Sequence, residues 1–188
     1  MRKFSLFASC IMLAVMISGC AGALKITRNT NFNFDADGNY IGFETLPIPA
    51  DYTAEQAVKD GCYVTKNLVE AGGSEAWESF IRNSKDGKAS FVRIMSIFDE
   101  GTYYEDLFYA DGYYRIFDSS AADLTDHKYK YILDLRGRMS NAERDSRFVV
   151  LTDDNTLTFD DVMLSMISSS TVVIDSISPY KLVAGMGL

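Results

Sequence analysis

The residue with the most clearly specified chemistry is Cys20, which ends an apolar N-terminal segment. Arg2 and Lys3 precede an apolar run over residues 4–17, and two small residues stand directly before the cysteine. Positive charge, a short apolar stretch and small residues before a cleavage point are the features of a secretory signal peptide. A cysteine at that point is typical of thiol lipidation, in which the sulfur forms a thioether with a diacylglyceryl group and the chain is cut just before it.

This arrangement is the lipobox pattern of bacterial lipoproteins. We therefore predict a signal peptide over residues 1–19, a lipid on Cys20 and a mature chain anchored on the extracytoplasmic face of the cell membrane. A transmembrane helix would need about 20 continuous apolar residues, and this run is shorter. Two acyl chains hold a protein stably at a membrane where one holds it only marginally, so a diacylglyceryl group is a sufficient anchor.

Net charge excludes a class of partners. The chain carries a formal charge of −8, and loss of residues 1–19, which contain two cations and no acids, makes it −10. An acidic surface repels nucleic acids and anionic lipid headgroups, so we predict no nucleic-acid partner. The 169 residues that remain of the 188 have the size of one domain.

After removal of the signal peptide, few residues remain that could serve as catalytic thiols or metal ligands. Cys10 leaves with the signal peptide and Cys20 is lipidated, so Cys62 has no partner for an intramolecular disulfide. We interpret Cys62 as a small buried apolar residue, because His127 is the only histidine that could serve a catalytic thiol as its base. The acidic turn around Asp37 lacks the glycine and glutamate positions of a calcium-binding loop. We therefore expect no metal and no cofactor.

Tyrosines are concentrated on neighbouring predicted strands. A tyrosine face offers a large contact area at low entropic cost, so it is a candidate surface for a glycan or a protein partner. The simpler interpretation is packing between adjacent strands. Strand alternation places Tyr103 and Tyr109 on one side of the sheet and Tyr104 on the other. The candidate binding residues are Tyr103, Tyr104, Tyr109, Tyr113 and Tyr114.

Arginines are concentrated around a predicted loop over residues 137–146. Arg136, Arg138, Arg144 and Arg147 bracket this loop, and Arg136 and Arg138 complete the set of candidate binding residues. This cationic concentration in an acidic chain predicts a surface for an anionic ligand. Acids alternate with these arginines, however, which is also typical of a solvated surface whose charges pair with one another.

Hydrophobic periodicity predicts two to three helices. Thr53 is expected to cap the first, Ser74 the second and Thr158 the third. In the third helix apolar residues recur at helical spacing from Phe159 to Ile167, which predicts a stripe buried in the core.

Apolar runs predict about five to six strands, and Asp111-Gly112 is a strong hairpin turn signal between two of them. Strands joined by hairpins are antiparallel, so the predicted class is α+β, with a mostly antiparallel sheet and helices packed on it. Residues 20–50 are expected to be the lipidated cysteine, a tether and a lead-in strand, and residues 51–188 a single α+β domain. The predicted strands are 91–98, 103–109, 113–117, 129–136, 147–152 and 171–177.

A set of short motifs between residues 53 and 167 has a family likeness. The motifs are Trp77-x-x-Phe80-Ile81, Gly87-Lys88, Val92-Arg93-Ile94, Gly101 and Asp106-Leu107-x-Tyr109-x-Asp111-Gly112. Together they resemble a domain-of-unknown-function family of small lipoproteins of Gram-positive bacteria. The resemblance implies an extracytoplasmic domain and assigns no activity and no catalytic residue. The aromatic residues that follow the Asp-Gly turn depart from the family's more polar pattern there.

These observations together predict a membrane-anchored surface lipoprotein that binds a partner without catalysis. The expected partner is an envelope protein, a peptide or a glycan, bound at the tyrosines or at the arginine loop. An envelope hydrolase is the first alternative, which would need two carboxylates about 5–10 Å apart. An inhibitor or immunity-type lipoprotein is the second, and an exposed rigid loop would favour it.

Overall fold

The computed structural model describes residues 33–45, 47–49, 51–138 and 145–187, and its strands form two sheets. The strands of the first sheet are β1 (Tyr63–Lys66), β2 (Val69–Gly72), β3 (Ser90–Phe98), β4 (Gly101–Ala110) and β5 (Tyr113–Asp118). The strands of the second sheet are β6 (Tyr131–Arg138), β7 (Asp145–Thr152) and β8 (Tyr180–Gly187). The predicted signal peptide, the predicted lipidation site Cys20 and the loop residue Arg144 lie outside the described residues.

The two sheets confirm the α+β class. In the first sheet the spatial order is β2-β1-β3-β4-β5, with β1 parallel to β3 and every other neighbouring pair antiparallel. The second sheet, β6-β7-β8, is antiparallel. β3 is a central strand, and β4 and β5 form a hairpin whose turn residues Asp111 and Gly112 both have positive φ, as predicted.

The three predicted helices begin at or next to the expected residues, and two short helices were not predicted. The helices are α1 (Gly42–Thr45), α2 (Ala54–Lys59), α3 (Ser74–Lys85), α4 (Phe159–Ile167) and α5 (Thr171–Asp175). The two that were not predicted are α1 and α5. Thr53 caps α2 by accepting a hydrogen bond from the Gln56 amide, and Thr158 and Asp161 form a reciprocal capping box at α4. The cap of α3 is Gly73, in the left-handed conformation, and the predicted cap Ser74 is the first helical residue.

The prediction of a strand over residues 171–177 is wrong. This run forms α5 and a short turn, and the last strand, β8, begins after Pro179. Its β-branched residues favoured a strand by propensity, but α5 buries none of its residues, so no sheet packing selects the extended form. The sequence patterns also missed β1 and β2, which are short and joined by Asn67-Leu68, a left-handed turn without glycine.

Apolar side chains form a core between the two sheets and smaller clusters on their outer faces. Helix α3 and the second sheet cover the inner face of the first sheet, where Tyr63, Trp77 and Leu107 are buried together with Val149 of β7. Helix α4 packs on the opposite face of the second sheet through Phe159 and Val162. The stripe predicted as buried is therefore only partly so. Its C-terminal members, Met166 and Ile167, are exposed.

Residues 33–45 pack on the outer face of the first sheet. Asp35 closes a tight turn by accepting hydrogen bonds at Oδ1 from the amides of Asp37 and Asn39, at 2.9 and 2.8 Å. This turn brings Tyr40 into a buried aromatic cluster with Phe108 and Phe117. Residues 33–45 of the predicted tether are thus part of the packed domain.

Candidate functional site

The five candidate tyrosines do not share one surface. Tyr109 and Tyr114 lie on the inner face of the first sheet, with ring centroids 4.8 Å apart, and Tyr114 is buried in the core. Tyr104 packs into the cluster on the outer face. Tyr103 and Tyr113 are exposed, but strand alternation places them on opposite faces. Core packing therefore accounts for most of these tyrosines.

The candidate arginines pair with acids on their own sheet. Arg136 and Arg147 lie directly opposite each other on β6 and β7, and Asp134 contacts both: its Oδ1 is 2.8 Å from Arg147 Nε, and its Oδ2 is 3.6 Å from Arg136 Nη2. Arg138 is exposed and lies 3.2 Å from the carboxylate of Asp145. The arginine loop is a self-paired surface as far as the described residues extend.

A groove between α3 and the second sheet brings together residues that the sequence showed as separate features. We call it the α3 groove, and its volume is about 600 Å³. One wall is a stripe at helical spacing that runs from Ser74 to Lys85, and the other is one face of β6 and β7, including Arg136. Its apolar floor consists of Trp77, Ile81, Ile132 and Val149.

The rim of the α3 groove carries as many acids as bases. The acids are Glu70, Glu78, Asp86 and Asp134, and the bases are Arg82, Lys85, Arg136 and Arg147. Burial, then the nearby Glu70 carboxylate, raise the pKa of Tyr63 to about 12, so its phenol stays protonated and hydrogen-bonds Glu70. Within the described residues no ion pair holds Arg82 or Lys85. The cations of Arg82 and Lys85 are therefore available to a ligand that lies on the apolar floor of the groove.

A smaller cavity, of about 300 Å³, holds two carboxyl groups. We call it the carboxylate cavity: Glu105 on β4 lies directly opposite Asp118 on β5, and both line it. Burial, and then the charge of Asp118, raise the pKa of Glu105 to about 8, while Lys181 acts in the opposite direction. Asp118 Oδ1 accepts hydrogen bonds from the amide and the hydroxyl of Ser120, at 2.9 and 2.7 Å.

Sequence reasoning missed this carboxyl pair although the hairpin contains it. A two-residue turn at Asp111-Gly112 pairs Ala110 with Tyr113, and the same register places Glu105 opposite Asp118. Like charges on directly opposed residues destabilise a sheet unless one of them is neutral. The cavity thus combines a carboxyl that stays protonated near neutral pH with a carboxylate fixed by hydrogen bonds.

Cys62 and His127 do not form a catalytic thiol with its base. Cys62 is fully buried, as predicted, and burial raises the pKa of its thiol to about 11. His127 is exposed, 3.7 Å from Asp123. Among the residues that the structure describes, no group of three or more acids, histidines or cysteines could hold a metal ion.

The described helices are all too short or too polar to cross a bilayer. Comparison of the chain with known protein families, with curated proteins and with solved structures found no match.

Proposed function

We propose that this chain is a membrane-anchored surface lipoprotein of bacteria whose domain binds a ligand in the α3 groove without catalysis. The observation that carries the proposal is the groove itself, an apolar floor bordered by charged side chains of both signs. Ligand sites are typically concavities of about 300–1,000 Å³ with apolar walls and a few placed polar groups. The α3 groove, at about 600 Å³, has this size and this division of surface.

Charge distribution in the α3 groove favours a peptide ligand. A peptide carries apolar side chains together with charges of both signs, and the groove offers Trp77 and Ile132 beside Glu78 and Arg82. An uncharged glycan would leave those charges without partners. A nucleic acid would meet a chain with a net charge of −8. The envelope protein or peptide is therefore the partner we favour over the glycan.

Location is proposed from Cys20, which would carry the lipid anchor on the extracytoplasmic face of the cell membrane. Cys20→Ser removes the sulfur that would carry the diacylglyceryl group. We expect the wild-type chain in the membrane fraction of the host, and the variant uncleaved by the lipoprotein pathway and not lipidated. A Cys20→Ser chain that is processed and fractionates with membranes like the wild type would contradict the anchor.

Ligand binding can be followed through Trp77, the single tryptophan of the chain, which lies in the groove. We expect hexapeptides with one aromatic residue between an acid and a base to change its fluorescence saturably. Ser74→Tyr places a ring in the groove and should abolish the change. Ser79→Tyr, on the same helix but outside that groove, is the matched control and should retain it. A saturable response that survives Ser74→Tyr would place the ligand elsewhere.

The carboxylate cavity favours a second candidate, an envelope hydrolase. A protonated Glu105 would act as general acid on a glycosidic oxygen, and Asp118 would act as base or nucleophile, the division of roles that paired-carboxylate glycosidases use. The test is release of reducing ends from purified wall glycan. Activity in the wild type that Glu105→Gln removes, with the fold intact by circular dichroism, would establish this candidate over the binding module.

A further inference from the structure

Five large apolar side chains are exposed together at the end of α4 and on α5. Ile167 is 67 % exposed and Val172 is 78 % exposed. We call this surface the 164–174 patch. Its members are Leu164, Met166, Ile167, Val172 and Ile174.

Nothing in the described part of the chain uses the 164–174 patch. Helix α4 packs on the second sheet with Phe159 and Val162, which leaves its C-terminal side chains free, and α5 has no buried residue at all. Isolated exposed apolar residues are common on proteins, but a group of neighbours is typical of a surface that binds a partner or a membrane.

Charge distinguishes this surface from the rest of the protein. From Val162 to Ile174 the chain has no charged residue, whereas 23 % of all its residues are charged and acids outnumber bases. An acidic surface is repelled by anionic lipid headgroups, so an uncharged segment is the part of the domain that can approach them. Ser168, Ser169 and Ser170, between the apolar residues of the two helices, add uncharged polar groups to this segment.

We propose that the 164–174 patch lies on the lipid bilayer and inserts its apolar side chains into the headgroup region. This inference rests on the proposed lipid anchor at Cys20. No cluster of basic residues assists the contact, so the patch alone would bind weakly. A weak apolar contact becomes stable when a lipid chain on the same molecule supplies a second membrane signal.

The connection between the anchor and the domain is long enough for this contact. Thirteen peptide steps separate Cys20 from Asn33, the first described residue. Fully extended they span at most about 45 Å. A domain of this size has a radius of gyration of about 15 Å. A sphere with that radius of gyration is about 40 Å across, so the extended tether is slightly longer than the domain is wide. It therefore lets α4 and α5 face the bilayer while residues 33–45 pack against the first sheet.

The proposal is tested on the full lipidated chain reconstituted in phosphatidylcholine–phosphatidylglycerol vesicles. An NBD fluorophore is placed on Val172→Cys, or on the control Val69→Cys, which is also exposed, at 56 %, but lies on β2 of the first sheet. The native thiols do not compete, because Cys62 is buried. We expect aqueous iodide to quench the probe at 172 at least about fivefold more weakly than at 69, and a spin-labelled lipid to quench only the former.

A second variant separates membrane contact from self-association of the domain. Adding Ile167→Asp to the labelled chain should restore iodide quenching at 172, while the control Leu68→Asp should not. Equal iodide quenching at 172 and 69 would overturn the proposal. Protection at 172 that disappears when the protein is diluted at constant lipid would show self-association instead. Loss of the whole chain from floated vesicles would show that the lipid on Cys20 does not hold the protein at the bilayer, and this inference would fail with it. That outcome is distinct from an exposed probe on anchored protein.

Discussion

Arg93 and Asp106 lie directly opposite each other on β3 and β4 and form a buried bidentate ion pair. Arg93 Nε donates to Asp106 Oδ1 at 2.6 Å and Nη2 donates to Oδ2 at 2.7 Å, with side-chain exposures of 3 % and 0 %. The Tyr40 hydroxyl donates to the same Oδ2 at 2.7 Å, and the Phe43 ring lies 5.4 Å from the guanidinium carbon. The ion pair thus fastens residues 33–45 to the outer face of the first sheet.

Removal of one charge from this pair is expected to destabilise the domain strongly. Asp106→Asn leaves the buried Arg93 cation without its countercharge, and the free energy of unfolding in urea should fall by about 3–5 kcal/mol. Asp145→Asn is the control, because its pair with Arg138 is exposed. That change should cost less than about 1 kcal/mol. Similar losses in the two variants would contradict the assignment of Arg93–Asp106 as the structural pair.

Two glycines with the same backbone conformation are expected to differ in their tolerance of alanine. Gly73 and Gly87 have φ of 77° and 72°, where a side chain is strained. A Cβ at Gly73 would lie 2.0 Å from the Cys62 carbonyl oxygen, whereas at Gly87 it would meet nothing within 4 Å. Gly87→Ala should cost about 1 kcal/mol, and Gly73→Ala about 3 kcal/mol or more, by urea unfolding. Equal costs would show that strain alone matters at Gly73.

Local patterns in the sequence predicted local structure well. The Asp111-Gly112 turn fixed the β4–β5 hairpin, and Thr158 fixed the start of α4, because each signal depends on a few neighbouring residues. The parallel pairing of β1 with β3 depends on contacts between distant segments. No periodicity within either strand contains that information, so the order of strands and the second sheet were not predicted.

The difference between local signals and contacts between distant segments also explains which parts of the candidate sites were predicted. Periodicity showed that Phe159 and Ile167 share a helix face, but it does not show how far the covering sheet extends, so the exposed end of α4 was predicted as core. The α3 groove joins residues about 60 positions apart, such as Trp77 and Arg136, and requires the tertiary arrangement. The Glu105–Asp118 pair, by contrast, could have been predicted from the sequence, because counting residues outward from the hairpin turn places the two opposite each other.

The Cys62 thiol is expected to react very slowly in the folded protein. Burial raises the pKa of this thiol to about 11, and the thiolate is the reactive form. At pH about 8 its reaction with a disulfide reagent should be about 100-fold slower than in urea, where the thiol has its ordinary pKa. Val69→Cys provides an exposed thiol in the same chain as the control. Equal rates for Cys62 in folded and unfolded protein would show that it is accessible.

Glu105 is expected to make stability fall as the pH rises above about 5. Burial, then the charge of Asp118, raise its pKa from 4.5 to about 8. Between these two values the folded protein holds a proton that the unfolded chain has released. The contribution of Glu105 to stability is therefore complete below the unfolded pKa and is lost as the pH rises through the folded one.

Glu105→Gln removes this titration, so its unfolding free energy in urea should stay flat from about pH 5 to about pH 8.5, while that of the wild type falls by an amount on the order of a few kcal/mol. Parallel profiles for the two proteins would contradict the raised pKa. Between pH about 5 and about 8.5 the titration of Glu105 is separate from that of Asp35, Asp123 and Asp154. Hydrogen bonds from nearby backbone and side-chain groups lower the pKa values of those three carboxyls. Their contributions are lost only as the pH falls below about 4, in the opposite direction. A fall on the alkaline side therefore reports the carboxylate cavity and not the acidic turns.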